Sequence, residues 1–117
     1  MIRLKQIVNG AVVSDIEMKQ GEFTIGRNHG NSLQLDGGDV SGEHAVLLLV
    51  PNHYLPEQLD ITLRDLDSTN GTYVNNIRVQ EKVIQHGDAI RICNFEYRVF
   101  DDQSNVGTRT EYFVPDE

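Results

Sequence analysis

Residues 45–50 read Ala-Val-Leu-Leu-Leu-Val, a continuous apolar run that is followed by Pro51. The run has the length of a β-strand, and an apolar run without alternation is typical of a strand that is buried on both faces. We therefore expect a buried strand that ends at Pro51.

The segments on either side of this run are also short and are separated by turn residues. Residues 59–64 alternate between apolar and polar side chains, as a half-buried strand does. Asn9-Gly10 lies between two apolar runs and is typical of a tight hairpin turn. No window combines helical periodicity with a cap at each end. Many short strands without intervening helices predict an all-β sandwich.

The composition is that of one acidic globular domain. The chain has 117 residues, of which 38% are hydrophobic and 24% are charged, close to ordinary globular values. Its 18 acidic residues outnumber 10 Lys and Arg residues and give a formal net charge of −8. Because nucleic acids and anionic membranes bind basic surfaces, we expect neither as a partner. A net negative charge does not exclude one small basic pocket.

The cysteine content and the N-terminal sequence indicate a reducing compartment. Cys93 is the single cysteine, so the chain cannot form an internal disulfide. The first residues lack the apolar region of a signal peptide, and no run approaches the roughly 20 apolar residues of a membrane span. We therefore expect a cytoplasmic location.

Three loops carry residue types that could form a site. Arg27 follows an apolar segment, and its planar guanidinium suits a phosphate or a carboxylate. Ser41 and His44 precede the buried run, but they lie in no nucleophile-elbow motif, which disfavours a catalytic serine. Residues 67–72 read Asp-Ser-Thr-Asn-Gly-Thr, in which Asn70-Gly71 would supply the positive φ angles of a tight turn.

The acids near these loops do not follow a metal-binding pattern. Asp36, Asp39, Asp65 and Asp67 could offer oxygen ligands to a hard cation, but they lack the spacing and the closing Glu of an EF-hand. We expect neither a metal nor another cofactor.

Taken in order, the loops resemble those of the forkhead-associated (FHA) domain. The motifs that carry the resemblance are Gly26-Arg27, Ser41-x-x-His44, Asn70-Gly71 and Gly87-Asp88-x-Ile90-x-Ile92. The resemblance implies a β-sandwich of two mostly antiparallel sheets, with about eleven short strands and no substantial helix, at residues 1–100. Residues 101–117 would form a polar tail. Loops at one end of such a sandwich bind a phosphothreonine peptide without catalysis.

The resemblance also implies a role for each matching residue. Arg27 would bind the phosphate, Ser41 would donate its hydroxyl to a phosphate oxygen, and Thr69 would lie beside the phosphothreonine. Asn70 would hydrogen-bond the peptide main chain, and Asn28 and Gly42 would complete the phosphopeptide site. Gly26, His44 and Gly71 would be structural. The implied partners are phosphothreonine-containing proteins, namely Ser/Thr protein kinases or their substrates.

Two positions depart from the family pattern. The family often has a basic or amide residue after the motif serine, whereas this chain has Gly42 and then the acid Glu43, so the Gly42 amide would have to donate instead. In the last hairpin the family usually has Gly where this chain has Cys93, and we expect Asn94 to take the left-handed conformation. The first departure leaves a phosphorylation-independent interaction scaffold with the same fold as the alternative function.

The C-terminal segment suggests a second role for phosphorylation. Thr108 and Thr110 lie in a polar stretch that a kinase could modify, and a phosphorylated tail could fill the pocket of the same copy or of a neighbour. The alternative is a solvated tail without such a role, because chain termini are usually poorly ordered.

Overall fold

The computed structural model describes residues 1–102 and contains eleven β-strands in this range. The tail threonines Thr108 and Thr110 lie outside the described residues. Residues 1–102 contain no helix that is long and apolar enough to cross a membrane. The strands are β1 Ile2–Val8, β2 Ala11–Met18, β3 Gly21–Gly26, β4 Leu33–Gln34, β5 Ala45–Pro51, β6 Leu59–Asp65, β7 Thr72–Val74, β8 Ile77–Val79, β9 Glu81–Ile84, β10 Ala89–Ile92 and β11 Phe95–Asp101.

The strands form a sandwich of two sheets. The six-stranded sheet has the order β2-β1-β11-β10-β7-β8, and the five-stranded sheet has the order β4-β3-β5-β6-β9. All neighbouring pairs are antiparallel except the short pair of β3 and β4. The predicted all-β sandwich is therefore confirmed. The last strand includes Asp101, which the sequence-based prediction places in the tail.

The apolar run at residues 45–50 forms β5, the middle strand of the five-stranded sheet. Ala45, Leu47 and Leu49 are fully buried in the core between the sheets. Val50, by contrast, is 50% exposed, and the strand continues through Pro51. The expectation of burial on both faces is thus wrong at Val50, because a two-layer sandwich leaves the outer face of each sheet toward solvent.

Two tight hairpins rely on asparagine or glycine in the left-handed conformation. Asn9 and Gly10 join β1 to β2 with φ angles of 52° and 81°, which confirms the predicted turn. Asn75 and Asn76 join β7 to β8 in the same way, with φ angles of 51° and 70°. Positive φ at both central residues matches the twist of two-residue hairpins.

Strand register brings three loops to one end of the sandwich. Ile25 near the end of β3 pairs with Ala45 at the start of β5, and Ala45 pairs with Asp65 at the end of β6. The chain therefore leaves β3, enters β5 and leaves β6 at the same level. We call this side of the sandwich the loop end.

Candidate functional site

Backbone hydrogen bonds join the loop after β3 to the loop before β5. The Arg27 amide donates to the Ser41 carbonyl at 3.0 Å, and the Asn28 amide donates to the Gly42 carbonyl at 3.1 Å. The Asn31 side-chain amide donates to the carbonyls of Asn28 and Gly42, at 2.9 Å each. Because the contacts involve main-chain atoms, they hold the backbone of Arg27 beside that of Ser41.

His44 links all three loops from a fully buried position. Its Nδ1 accepts a hydrogen bond from the Ser41 amide at 3.1 Å, so the proton of the neutral ring lies on Nε2 and is donated to the Gly71 carbonyl at 2.9 Å. The His44 amide donates to the Ile25 carbonyl, and its carbonyl accepts from the Leu66 amide, both at 2.9 Å. One residue thereby fixes the relative positions of the loops.

A buried carboxylate organises the third loop from within. Asp65 accepts hydrogen bonds from the amide and the hydroxyl of Ser68 and, at 2.7 Å, from the hydroxyl of Thr72. The Ser68 hydroxyl oxygen also accepts from the Gly71 amide at 3.0 Å. Ser68 and Thr72 therefore belong to the internal frame of the loop. The sequence analysis considers Asp65 only as an oxygen ligand for a cation and assigns this organising role neither to Asp65 nor to Thr72, although an Asp three residues before a Ser is a usual source of such local bonds.

The Asp65 network predicts that stability depends on pH. Burial alone raises the pKa of the Asp65 carboxyl, but hydrogen bonds from Ser68 and Thr72 outweigh it, so the pKa lies below its ordinary value of 3.8. The unfolded chain therefore takes up a proton at a higher pH than the folded chain. We expect the contribution of Asp65 to the free energy of unfolding to be constant at neutral pH and to fall below about pH 4.

Urea unfolding across this pH range measures the effect. Asp65→Asn should be less stable than the wild type at neutral pH and should lose less stability on acidification, because the titrating group is gone. Equal slopes of stability against pH in the two proteins would show that Asp65 does not carry the effect.

Arg27, Ser41 and Thr69 line one concavity at the loop end, with a volume of about 380 Å³. Arg27 Nε donates to the Val40 carbonyl at 3.0 Å, which orients the guanidinium, and its Nη groups have no hydrogen-bond partner among residues 1–102. The Ser41 hydroxyl oxygen accepts from the Thr69 amide at 3.1 Å. This bond leaves the hydroxyl proton of Ser41 available to a ligand.

The concavity has the chemistry of an anion site. A guanidinium with free Nη groups presents paired donors that match the oxygens of a phosphate or a carboxylate. The Ser41 hydroxyl adds a third donor from the neighbouring loop. No group of three or more His, Cys, Asp or Glu side chains in residues 1–102 is arranged to hold a metal ion.

Asn70 also lines the concavity, but its role in the turn differs from the prediction. Its side-chain nitrogen donates to the Asp39 carbonyl at 2.8 Å, which leaves one N–H and the side-chain oxygen for other partners. Positive φ angles occur at Asp67 (56°) and Gly71 (88°) and not at Asn70. The expected positive φ angle is therefore wrong at Asn70. The hydrogen bonds that Ser68 donates to the Asp65 carboxylate curve the chain earlier, at Asp67.

Two glycines allow the first two loops to approach closely. A Cβ atom on Gly26 would lie 2.2 Å from the Gly42 carbonyl oxygen, so no larger residue fits without a backbone shift. A Cβ atom on Gly42 would lie 2.5 Å from the side-chain nitrogen of Asn28. The Asn28 amide thus occupies the space beside Gly42. The Asn28 side chain therefore places an amide near the motif serine, Ser41, even though Gly42 has no side chain.

Cys93, at the tip of the hairpin between β10 and β11, takes the left-handed conformation itself. Its φ angle is 54°, whereas Asn94 has no positive φ, so the expectation for Asn94 is wrong. The Cys93 Sγ donates to the Asp39 carbonyl at 3.3 Å. Burial and then the charge of Asp39 raise the pKa of the thiol, which keeps the donated proton in place. This tertiary contact favours Cys93 as the left-handed residue.

Comparison with known proteins identifies the family. The family model described as FHA domain matches residues 23–93, which is more than half of the chain. The transcriptional regulatory protein EmbR of Mycobacterium tuberculosis is 38% identical over 74 residues, which are 62% of this chain and 17% of EmbR. The chain thus matches only a small part of the length of that relative.

Solved structures agree with this match. The structure of Mycobacterium tuberculosis EmbR in complex with a low-affinity phosphopeptide has a TM-score of 0.72 and 29% identity, over 86% of this chain and 24% of EmbR. The FhaA FHA domain, complexed with the intracellular domain of Rv3910, has a TM-score of 0.69 and 31% identity, over 85% of this chain and 99% of that domain. On this evidence the chain belongs to the FHA-domain family.

Proposed function

We propose that the chain recognises phosphothreonine in partner proteins through the concavity at the loop end. The observation that carries the proposal is the presence in one concavity of Arg27 Nη groups without a partner among residues 1–102 and of an oriented Ser41 hydroxyl. The guanidinium binds two phosphate oxygens, and the Ser41 hydroxyl donates to the phosphate. Thr69 lies beside the phosphothreonine, and the free amide groups of Asn70 bind the peptide main chain.

The energetics of this site fit a reversible signalling interaction. A phosphothreonine carries about −1.5 to −2 charges at neutral pH and three acceptor oxygens. Each charge-assisted hydrogen bond contributes about 1.5–3 kcal/mol. Two or three such bonds, offset by the entropy cost of association, give micromolar affinity, or about −8 kcal/mol.

Asn28 and Gly42 complete the phosphate site in this proposal. The Asn28 amide packs against Gly42, so it can supply the donor that other family members often place on the residue after the motif serine. The Gly42 amide is a further donor of the same loop. Gly26, His44 and Gly71 act indirectly, since they position the loops without contacting the ligand.

The family relatives support this function. EmbR was solved with a phosphopeptide, and the FhaA domain was solved with the intracellular domain of another protein. FHA domains are non-catalytic interaction modules, and this chain is one of them. Its partners in the proposal are Ser/Thr protein kinases or their substrates in the cytoplasm. In this proposal the recognition domain extends through β11, which ends at Asp101.

A calorimetric titration with three matched peptides tests the proposal. A degenerate library with a fixed phosphothreonine supplies the peptide, which is then made with phosphothreonine, phosphoserine and unmodified threonine. We expect micromolar binding of the first and no measurable binding of the third. The phosphoserine form lacks one methyl group, whose burial contributes about 0.8 kcal/mol, so it should bind about fourfold more weakly or worse.

The same titration distinguishes the alternative function. A phosphorylation-independent scaffold would bind the phosphorylated and unmodified peptides with equal affinity, or would bind neither. Either result would contradict phosphothreonine recognition by this chain.

A further inference from the structure

The outer face of the six-stranded sheet carries a concentration of positive charge on an otherwise acidic protein. Residues alternate between the core and the solvent along each strand, so the neighbours of buried Leu4, Ile90 and Val99 point outward. This basic face comprises five of the nine Lys and Arg residues in residues 1–102, namely Arg3, Lys5, Arg78, Arg91 and Arg98. It has three acids, Asp15, Glu17 and Glu96, against twelve over the rest of that range.

Aromatic rings hold two of these cations in place. The Arg91 guanidinium carbon lies 4.3 Å from the centre of the Tyr73 ring, and Lys5 Nζ lies 4.3 Å from the centre of the Phe100 ring. Such cation–π contacts restrict the long side chains before any partner arrives. Less conformational entropy is then lost on binding, and Arg and Tyr are the residue types that contribute most energy at protein interfaces.

One pair of like charges on this face has a counter-ion at only one of its members, because the Asp15 carboxylate lies 3.9 Å from Lys5 Nζ and also 3.2 Å from Arg3 Nη1. Lys5 on β1 stands directly opposite Arg98 on β11, and like charges in that arrangement destabilise a sheet. The Arg98 side chain is exposed and has no hydrogen-bond or ion-pair partner among residues 1–102. A partner's carboxylate bound at Arg98 would supply the counter-ion that this side chain lacks among residues 1–102.

The basic face also contains a concavity of about 270 Å³. Arg91 and Arg98 line it together with Glu96 and the β7–β8 turn at Asn75 and Asn76. The face extends to the loop end, because the Arg78 side chain packs against Gly71, which follows Asn70 of the phosphothreonine site.

We propose that the basic face docks an acidic segment of a protein partner, independently of the phosphate-binding concavity. A polypeptide fits better than a nucleic acid for two reasons. The acids Asp15, Glu17 and Glu96 interrupt the positive charge and would repel a uniformly charged phosphate backbone. The net charge of −8 also opposes long-range attraction of a densely charged nucleic acid more strongly than that of a short segment with a few carboxylates.

Charge reversal on the basic face tests this proposal. Fluorescence anisotropy measures binding of the full chain to a fluorescein-labelled peptide in which Glu alternates with Ser. We expect the double variant Arg91→Glu/Arg98→Glu to bind this peptide at least about tenfold more weakly than the wild type, and Arg98→Glu alone to be intermediate. The control Arg64→Glu/Lys82→Glu changes net charge equally at two exposed positions of the five-stranded sheet and should bind nearly as the wild type does.

Three results would overturn the proposal. They are the absence of peptide binding by the wild type, equal weakening in the two double variants, and tighter binding of an oligothymidylate probe of equal charge. Arg27→Ala should retain acidic-peptide binding, and Arg91→Glu/Arg98→Glu should retain binding of a phosphothreonine peptide without acidic flanks. These two variants therefore test acidic-segment docking independently of phosphothreonine recognition.

Discussion

Arg27→Ala is expected to abolish measurable binding of a phosphothreonine peptide. The substitution removes the two Nη donors that have no partner among residues 1–102 and leaves the phosphate without its counter-charge. The loss of two charge-assisted hydrogen bonds amounts to about 3 kcal/mol or more, which weakens binding by about a hundredfold or more. Folding loses only the bond from Arg27 Nε to the Val40 carbonyl, or about 1 kcal/mol.

Calorimetry and thermal unfolding of the same samples separate the two effects. Arg27→Lys should bind with intermediate affinity, because lysine keeps the charge but lacks the paired donors of the guanidinium. Arg64→Ala removes an exposed arginine from β6 and should bind as the wild type does. Retention of wild-type affinity by Arg27→Ala would refute the assigned phosphate site.

The second large effect is expected for His44→Ala, which should destabilise the fold and weaken peptide binding together. His44 is fully buried, and its removal leaves the Ser41 amide and the Gly71 carbonyl without their partners. The lost hydrogen bonds and the cavity cost about 3 kcal/mol. For a domain of this size such a change lowers Tm by on the order of 15 °C.

Circular dichroism melting measures the loss of stability, and calorimetry below the lowered Tm measures affinity. His53→Ala removes an exposed histidine from the loop between β5 and β6 and serves as the control, with little expected change in either quantity. A His44→Ala protein with the wild-type Tm would mean that the loops do not depend on this residue.

Local chemistry explains which turns could be predicted. The Asn9-Gly10 hairpin follows from the conformational freedom of two adjacent residues between two strands, and the sequence is enough to locate it. Asp67 takes the left-handed conformation because of the local hydrogen bonds that Ser68 donates to Asp65, whereas Cys93 takes it because of its tertiary contact with Asp39. Cys93 and Asp39 are 54 positions apart, so no local pattern in the sequence shows their proximity.

The candidate site could be predicted from the sequence, whereas the basic face could not. Arg27, Ser41 and Thr69 could be grouped from the sequence because their motifs resemble those of a known family, and strand register places them around one concavity. Arg91 is an unspecified position of the Gly87–Ile92 motif, and Arg98 lies outside all the motifs. Their proximity to Lys5 follows from the order β1-β11-β10, which composition and periodicity do not determine.

The central claim is that a phosphate binds where the three loops meet, and an amide NMR titration tests it most directly. Addition of the phosphothreonine peptide should shift the backbone amide signals of Arg27, Ser41, Gly42, Thr69 and Asn70, and the unmodified peptide should leave them in place. Shifts that are the same for both peptides, or that fall on the strands of the six-stranded sheet instead, would contradict the claim.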